Sequence, residues 1–372
     1  MAERVVLPSY DGGALGDVLP SIASVLGLDA PNRLYLQGSD RFVVLLIDGL
    51  GWNLLSRHLA AAPYLASLLD RSSRLTAGVP STTASSLTSL GTGLPPGTHG
   101  MVGYTQRIPG TDRLLHSLQW DNQIDPLVWQ PHATVFERLE GIGRSVTVIS
   151  KRAFAESGLT LAALRGGAYS GADDNAERLA AAVESSVRRP SLTYVYDGDL
   201  DGTGHRAGCR SDAWLEQLAR SDAFALSLRE ALPAAVTLAI TGDHGMIDIS
   251  LADRVDVDRE PGLMDSVELI GGESRFRHLY CREGAASQVA ARWRDRLGGS
   301  AVVMERPEAI AAGWFGPVSP VVAPRLGDVM VACMDPIAVE SSSRFPMETR
   351  LIGMHGSLTA DEMYVPLLID AG

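Results

Sequence analysis

The feature that most constrains the fold is a series of short apolar runs, each of which ends in a polar residue. RFVVLLIDG at 41–49 is continuously apolar up to Asp-Gly, as in a strand that is buried on both faces. Similar runs recur at 145–150, 192–197 and 236–243, and YVPLLI at 364–369 predicts a last strand. Together these runs predict the strands of one buried sheet.

Segments with helical spacing lie between the predicted strands, notably at 172–186 and 211–232. Strands that alternate with helices form a mostly parallel sheet that is covered on both faces. Ligands of such sheets bind beyond the carboxyl ends of the strands. Three of these strands end in an acid, namely Asp48, Asp197 with Asp201 just beyond it, and Asp243. We therefore predict the functional site at this edge of the sheet.

Two stretches interrupt the alternation of strands and helices. Residues 100–140 are rich in Pro, Trp, Gln and His, and residues 250–350 mix short strands with Pro and Gly breaks. We interpret both as insertions that form a small cap over the active edge of the sheet. The prediction is a single catalytic domain over residues 1–372 with a cap inserted into it.

Composition limits the partners of the chain. Of the 372 residues, 45% are hydrophobic and 20% are charged, which allows a large buried core. The net charge of −12, without a compensating basic run, argues against a nucleic-acid polymer but not against a small phosphorylated substrate. No segment has the pattern of a signal peptide or a membrane span, and the 3 cysteines are few. We expect a cytoplasmic protein without a membrane partner.

Histidines accompany the acids in three short motifs. Asp201-Gly-Thr-Gly-His205 follows a strand, and its two glycines predict a loop in which both side chains converge. Gly-Asp243-His244-Gly follows another strand, and Gly-Met-His355-Gly precedes the last one. Each motif alone is also compatible with an ordinary turn, because Asp and Gly favour turns. Their common position at one sheet edge favours a site.

Together with Asp48, these motifs supply three carboxylates and three imidazoles. Such a mixture suits zinc, whereas magnesium and calcium prefer sites made mostly of oxygen. Six ligands are too many for one open zinc site but suit two sites with about three protein ligands each. We therefore predict two Zn²⁺ ions per chain.

A hydroxyl-rich segment, GVPSTTASSLTSLGTG at 78–93, is compatible with a flexible linker or with a hidden nucleophile. Pro80 cannot continue a strand, and Ser81 is a favourable N-cap for a helix over 82–91. The spacing of the leucines in that helix directs Thr83 inward from its first turn. A helix N-terminus favours an anionic phosphate, so Thr83 is the candidate nucleophile. The neighbouring Thr82 is its nearest competitor.

In their order along the chain, these motifs resemble those of the alkaline phosphatase superfamily. The resemblance is greatest to its nucleotide pyrophosphatase/phosphodiesterase (type I phosphodiesterase) family and extends from about residue 41 to 370. The matching motifs are Asp48-Gly, Pro80-Ser-Thr-Thr83, Thr92-Gly93, His99-Gly100, Asp201-x-x-Gly-His205, Gly-Asp243-His244-Gly and Gly-x-His355-Gly.

The resemblance implies a three-layer α/β/α sandwich and a phosphodiesterase or nucleotide pyrophosphatase with a threonine nucleophile. That nucleophile is the Thr three residues after the Pro, which is Thr83. The family also implies how the two zinc ions are held. One zinc would be bound by Asp48, Asp243, His244 and Thr83, and the other by Asp201, His205 and His355.

The sequence departs from the family pattern after His99-Gly100. The family has an Asn there that helps to bind a phosphate oxygen, whereas this chain has Tyr104. Tyr104 is compatible with a hydrogen-bond donor to substrate and with a packing aromatic. Trp120 and Trp129 are further candidates for substrate binding, and His116 and His132 for lining the pocket.

The departure weakens the case for a nucleotide substrate. A phosphomonoesterase, a phosphonoacetate-type C–P hydrolase and a phosphomutase remain alternatives that use the same site. A non-catalytic, metal-binding homologue remains an alternative of another class.

Overall fold

The computed structural model describes residues 4–372. Its strands are β1 (Arg41–Ile47), β2 (Ser73–Thr76), β3 (Thr105–Arg107), β4 (Leu114–His116), β5 (Ser145–Ser150), β6 (Ala168–Gly171), β7 (Ser191–Asp197), β8 (Thr237–Thr241), β9 (Ile247–Asp248), β10 (Arg254–Asp256), β11 (Val267–Glu273), β12 (Phe276–Cys281), β13 (Ala301–Glu305), β14 (Val329–Cys333), β15 (Ala338–Glu340), β16 (Gly353–Met354) and β17 (Tyr364–Asp370).

The α-helices are α1 (Val18–Val25), α2 (Trp52–Arg57), α3 (Pro63–Ser67), α4 (Thr83–Thr92), α5 (Pro96–His99), α6 (Pro126–Trp129), α7 (Val135–Gly141), α8 (Gly158–Ala163), α9 (Asn175–Ser186), α10 (Asp199–Ala207), α11 (Asp212–Ala231), α12 (Ala286–Leu297), α13 (Arg306–Ala311) and α14 (Ala360–Met363). In the part of the chain that is described, none of these helices is long and apolar enough to cross a membrane.

A seven-stranded sheet with the order β2-β17-β8-β1-β7-β5-β6 forms the centre of the molecule. β1 pairs in parallel with β7 on one side and β8 on the other, and β5 pairs in parallel with β7 and β6. β17 alone runs against its neighbours, because its pairings with β2 and β8 are both antiparallel. The predicted α/β fold with a mostly parallel sheet is confirmed.

The alternating side chains of β1 explain why helices cover both faces of this sheet. One set packs into a core with α1, α4, α7 and α8, and the other into a core with α2, α3 and α11. All seven residues of the strand are buried, as its continuous apolar sequence predicts. The two sets are Phe42, Val44 and Leu46, and Val43, Leu45 and Ile47.

Residues 254–351, which we call the small lobe, carry a separate antiparallel sheet with the order β11-β12-β14-β13. α12 packs on one face of this sheet through Trp293 and Leu297. The other face packs against the body of the protein, where Phe276 and Met330 meet Val79 and other buried residues. The bounds of the small lobe lie close to those of the late predicted insertion, residues 250–350.

The start of α4 differs from the sequence prediction, which made Ser81 its N-cap. The helix begins at Thr83, and extended Thr82 occupies the cap position. The Ser81 hydroxyl instead donates a hydrogen bond of 2.7 Å to the backbone carbonyl of Ser357. This tertiary bond ties the hydroxyl-rich segment to the loop that carries His355, which no local cap preference could reveal.

A buried ion pair fastens the small lobe to the body and provides a test of the fold. Arg275, in the turn between β11 and β12, donates to both carboxylate oxygens of Glu362 at 2.7 and 3.1 Å, and both side chains are fully buried. Glu362→Ala leaves the guanidinium without its counter-charge, so we expect the free energy of unfolding to fall by about 3–5 kcal/mol in chemical denaturation.

The neighbouring Asp361→Ala is the matched control. Asp361 pairs with Arg57 at a partly exposed position, and an exposed pair contributes only about 0–1 kcal/mol. Equal losses for the two variants would contradict the assignment of Glu362 as the anchor of the lobe.

Candidate active site

The acids and histidines of the three sequence motifs meet at the carboxyl edge of the central sheet. Asp48 directly follows β1, and Asp243 and His244 follow the adjacent strand β8. Asp201 and His205 lie beyond β7, on the other side of β1. The carboxyl ends of parallel strands lie at the same edge of the sheet, so these residues come together there, as the fold class predicts.

The loop predicted between Asp201 and His205 is a helix. Both residues lie in α10, one turn apart, and the His205 Nε2 is 3.4 Å from the Asp201 Oδ2. The two side chains therefore converge because of helical spacing rather than loop flexibility. Gly204 serves a different purpose, because a Cβ there would lie 2.4 Å from the sulfur of Met246.

The first group of ligands contains Asp48, Asp243 and His244, whose oxygen and nitrogen atoms lie within 4.8 Å of one another. The His244 Nε2 is 3.4 Å from the Asp48 Oδ1 and 3.4 Å from the Asp243 Oδ2. All three side chains are buried. The arrangement is that of a compact site for one cation.

The second group adjoins the first through His244. Asp201, His244 and His355 also have ligand atoms within 4.8 Å of one another. The ring of His355 stacks on that of His244 with the centroids 3.6 Å apart, and His205 lies 5.1 Å away by the same measure. Two groups of potential ligands therefore share one imidazole.

The three histidines have the same hydrogen-bond pattern. The Nδ1 of each ring lies 2.8–2.9 Å from a backbone carbonyl, which belongs to Gly245 for His244, Gly353 for His205 and Ser81 for His355. A carbonyl only accepts, so Nδ1 carries the proton and donates it. The Nε2 lone pair of each ring then faces the carboxylates, as metal-binding histidines require.

The carboxylates show that the site suits a cation. Asp48 Oδ1, Asp201 Oδ1 and Asp243 Oδ2 are buried and have no hydrogen-bond partner among the described residues. Burial, followed by the charges of Asp243 and Asp201, raises the pKa of Asp48 well above its usual range. Burial also raises the pKa of Asp243. A bound metal ion would satisfy the three oxygens and offset the repulsion among them.

Thr83 is the first residue of α4, and its side chain faces both groups. Its Oγ1 is 3.2 Å from the Nε2 of His244. Leu87 and Leu90 of the same helix are buried in the core, as the predicted inward face requires. The nearest competitor, Thr82, lines one adjoining cavity, whereas Thr83 lines two.

Two cavities adjoin Thr83. One, which we call the lobe cavity, has a volume of about 320 Å³, and the other, which we call the second cavity, has about 210 Å³. The lobe cavity has polar lining residues, which include Thr83, Tyr104, Glu273, Ser274, Glu348 and His355, and apolar ones, which include Leu118, Met347, Leu351 and Met354. The second cavity likewise combines Leu87, Phe154, Leu159, Leu164 and Tyr196 with Thr83, Asp48, Asp201, Ser150, Ser157 and Thr160.

The aromatic candidates occupy different places. Tyr104 lines the lobe cavity, where burial and the charges of Glu348 and Glu273 raise the pKa of its phenol to about 12. His116, a predicted pocket residue, contacts the Tyr104 ring edge-on with the centroids 4.2 Å apart. His132 is directed elsewhere, with its Nε2 3.2 Å from the carbonyl of Thr98.

The two tryptophans line neither of these cavities. The indole of Trp120 packs against the core and donates a hydrogen bond to the carbonyl of Ile124. Trp129 is buried beneath the guanidinium of Arg325, which lies 3.8 Å from the ring centroid. Trp120 lines a separate cavity with Leu118, and substrate binding by the two tryptophans stays a prediction.

The acids of the lobe cavity were missed by sequence reasoning. Glu273 ends β11 and Glu348 lies in the small lobe. Burial raises the pKa of Glu273 to about 8. Neither residue stands in a recognisable motif, and only the packing of the lobe brings them to the cavity, so the sequence offers no signal for them.

The fold and the carboxylate–imidazole groups at its sheet edge define the class of protein, a metal-dependent hydrolase. The model of the type I phosphodiesterase/nucleotide pyrophosphatase family matches residues 42–358, and the chain belongs to this family of phosphate-ester hydrolases. No curated protein sequence gives a significant match.

Solved structures with the same fold have low sequence identity. Murine ectonucleotide pyrophosphatase/phosphodiesterase 5 is 17% identical with a TM-score of 0.70, and the match covers 88% of this chain and 87% of that one. Phosphonoacetate hydrolase from Sinorhizobium meliloti 1021, in complex with phosphonoformate, is 18% identical with a TM-score of 0.67, over 88% and 89% of the two chains.

Tyr196 provides a test of metal binding. Its hydroxyl donates a short hydrogen bond to the Asp48 Oδ2, which orients that carboxylate. Because such supporting bonds typically contribute 10–100-fold to metal affinity, we expect Tyr196→Phe to weaken the binding of a divalent metal ion by roughly that factor in competition with a chelator. Tyr194→Phe is the matched control on the same strand, since the Tyr194 hydroxyl has no partner among the described residues. Similar affinities for the two variants would contradict the role of Tyr196.

Asp48 provides a second test, through the stability of the metal-free protein. The pKa of Asp48 is higher in the folded than in the unfolded protein. The folded protein is therefore most stable at a pH below the usual carboxylate pKa, and it loses stability as the pH rises from there to the raised pKa. With chelator near neutral pH, Asp48→Asn should therefore raise the Tm, and the difference should shrink on acidification. With metal present the wild type should gain more stability than the variant. An equal increase in Tm on addition of metal for the wild type and Asp48→Asn would contradict a cation site at Asp48.

Proposed function

We propose that the protein is a phosphodiesterase or nucleotide pyrophosphatase with Thr83 as its nucleophile and two zinc ions as cofactors. The observation that carries this proposal is the 3.2 Å approach of the Thr83 Oγ1 to the Nε2 of His244. His244 belongs to both groups of ligands, so the hydroxyl lies beside each of them.

The residues present fit two metal ions. Asp48, Asp243 and His244 would hold one ion with Thr83, and Asp201, His205 and His355 would hold the other. Zinc would lower the pKa of the Thr83 hydroxyl and of water and would offset charge on the phosphoryl oxygens. Two Zn²⁺ ions, three carboxylates and one ionised threonine sum to about zero charge, which admits an anionic substrate.

The residues of the chain define the proposed reaction. The N-terminus of α4 orients the phosphate group through its backbone N–H groups and helix dipole. The Thr83 Oγ1 loses its proton and attacks phosphorus, the bond from phosphorus to the leaving oxygen breaks, and the leaving group takes up a proton. Water then hydrolyses the phosphothreonine and restores the Thr83 hydroxyl.

The two cavities support a diester or pyrophosphate as substrate. Thr83 lines both the lobe cavity and the second cavity, so a phosphorus centre at Thr83 would have space for one substituent in each. An inactive variant of the murine relative is known in complex with AMP. Phosphonoacetate hydrolase has been solved with phosphonoacetate, so C–P hydrolysis at the same site is the second candidate.

Replacement of Thr83 tests the nucleophile. Thr83→Ala removes the attacking oxygen, so we expect kcat for an aryl phosphodiester to fall by at least about a thousandfold, the scale of losing a catalytic nucleophile. Thr82→Ala is the matched control and should keep at least about a hundredfold more activity. Chelation should abolish the wild-type activity and zinc should restore it.

Two results would contradict the proposal. Full turnover by Thr83→Ala would exclude the nucleophile, and zinc binding without turnover of diesters, monoesters or phosphonates would favour a non-catalytic homologue. A marked preference for aryl monoesters or for phosphonates would keep the site and change the reaction.

A further inference from the structure

The lobe cavity has an acidic wall that the reaction at Thr83 does not use. The strand β11 ends at this wall with Glu273, and Ser274 follows in the hairpin turn. Glu348, Tyr104 and His355 also line this cavity, and His355 is one of the potential metal ligands at the edge of the central sheet. The cavity that Thr83 lines therefore has two carboxylates in its wall.

Each carboxylate has one oxygen that is bound and one that is free. The Glu273 Oε2 accepts a hydrogen bond of 3.1 Å from the backbone N–H of Tyr104, and the Glu348 Oε2 accepts one of 2.7 Å from the Ser274 hydroxyl. The Oε1 of each is buried without a partner in the described part of the chain, and each residue is only 7% exposed. A buried acceptor without a donor is costly, so both oxygens favour a ligand that donates.

The charge around the wall favours a cationic donor. Arg277 pairs with Glu348, whereas the other nearby guanidinium, that of Arg275, is bound to Glu362 and to backbone carbonyls. Among the described residues, no basic side chain forms an ion pair with Glu273. An ammonium group would supply N–H donors to the free oxygens, and its positive charge would favour the ionised form of Glu273, whose pKa burial raises to about 8.

We propose that the lobe cavity binds an ammonium group on one substituent of a phosphodiester, and that Glu273 and Glu348 determine this specificity through their unpartnered oxygens. The proposal rests on the phosphodiesterase function proposed above. The second cavity would take the other substituent, with Phe154, Leu159 and Leu164 available to contact its apolar part. The substrate is then an asymmetric diester with one amine-bearing arm.

A pair of esters of nearly equal shape tests this specificity. Para-nitrophenyl aminoethyl phosphate and para-nitrophenyl propyl phosphate differ by an ammonium in place of a methyl group. We expect the zinc-loaded wild type to prefer the aminoethyl ester by about tenfold or more in kcat/KM, the scale of one charge-assisted hydrogen bond. Glu273→Gln and Glu348→Gln should each bring the ratio toward one.

Glu340→Gln is the matched control. Glu340 is a buried acid of the same lobe, but it pairs with Arg254 and does not line the cavity. Its substitution should leave the preference for the aminoethyl ester unchanged. If the two glutamine variants of the cavity keep the wild-type ratio, Glu273 and Glu348 are not the specificity residues.

The outcomes separate this inference from the proposed function. Equal hydrolysis of the two esters by the wild type would overturn the ammonium site and leave the phosphodiesterase function standing. Hydrolysis of neither ester would overturn that function, and the site would then be tested by calorimetry with the same esters on zinc-loaded protein. Equal Kd values would overturn the ammonium site there as well.

Discussion

Three carboxylates placed together at the end of a buried sheet are the constraint on which the rest of this structure depends. Asp48, Asp201 and Asp243 each keep an oxygen that is buried without a partner in the described chain. Such a cluster is unfavourable by itself and becomes favourable around cations. The three histidines lie beside these carboxylates and are held by hydrogen bonds from Nδ1 to backbone carbonyls. The Thr83 hydroxyl contacts one of them, His244.

Close backbone packing holds the loops of the site in place. A Cβ at Gly242 would lie 2.1 Å from the carbonyl oxygen of Leu50, and one at Gly245 would lie 1.9 Å from that of Asp361. The glycines that flank Asp243 and His244 therefore allow two neighbouring loops to approach. The rigidity that orients these ligands comes from contacts distant in sequence, which is consistent with a preorganised site.

Much of the fold and the positions of the metal-binding motifs could be predicted, because both depend on local patterns. Continuous apolar runs identify strands that are buried on both faces. In a parallel sheet, the polar residues that follow these strands lie together at its carboxyl edge. The sequence predictions were wrong where contacts between residues distant in sequence determine the local structure. Ser81 bonds across the molecule instead of capping α4, and the glycines near Asp201 lie in a helix. The acids of the small lobe could not be found, since only packing of the lobe onto the body brings them to the cavity.

The anchoring of the small lobe has a consequence for how such a protein can diversify. The catalytic edge is built from loops of the central sheet, whereas Glu273 and Glu348 come from a lobe that has its own core and is fastened by Arg275. Substitutions on the inner wall of the lobe can exchange one substrate preference for another without moving the reacting groups. If Glu273 and Glu348 select the substrate as proposed, a preference for one substituent can change through the lobe while the residues of the sheet edge stay the same.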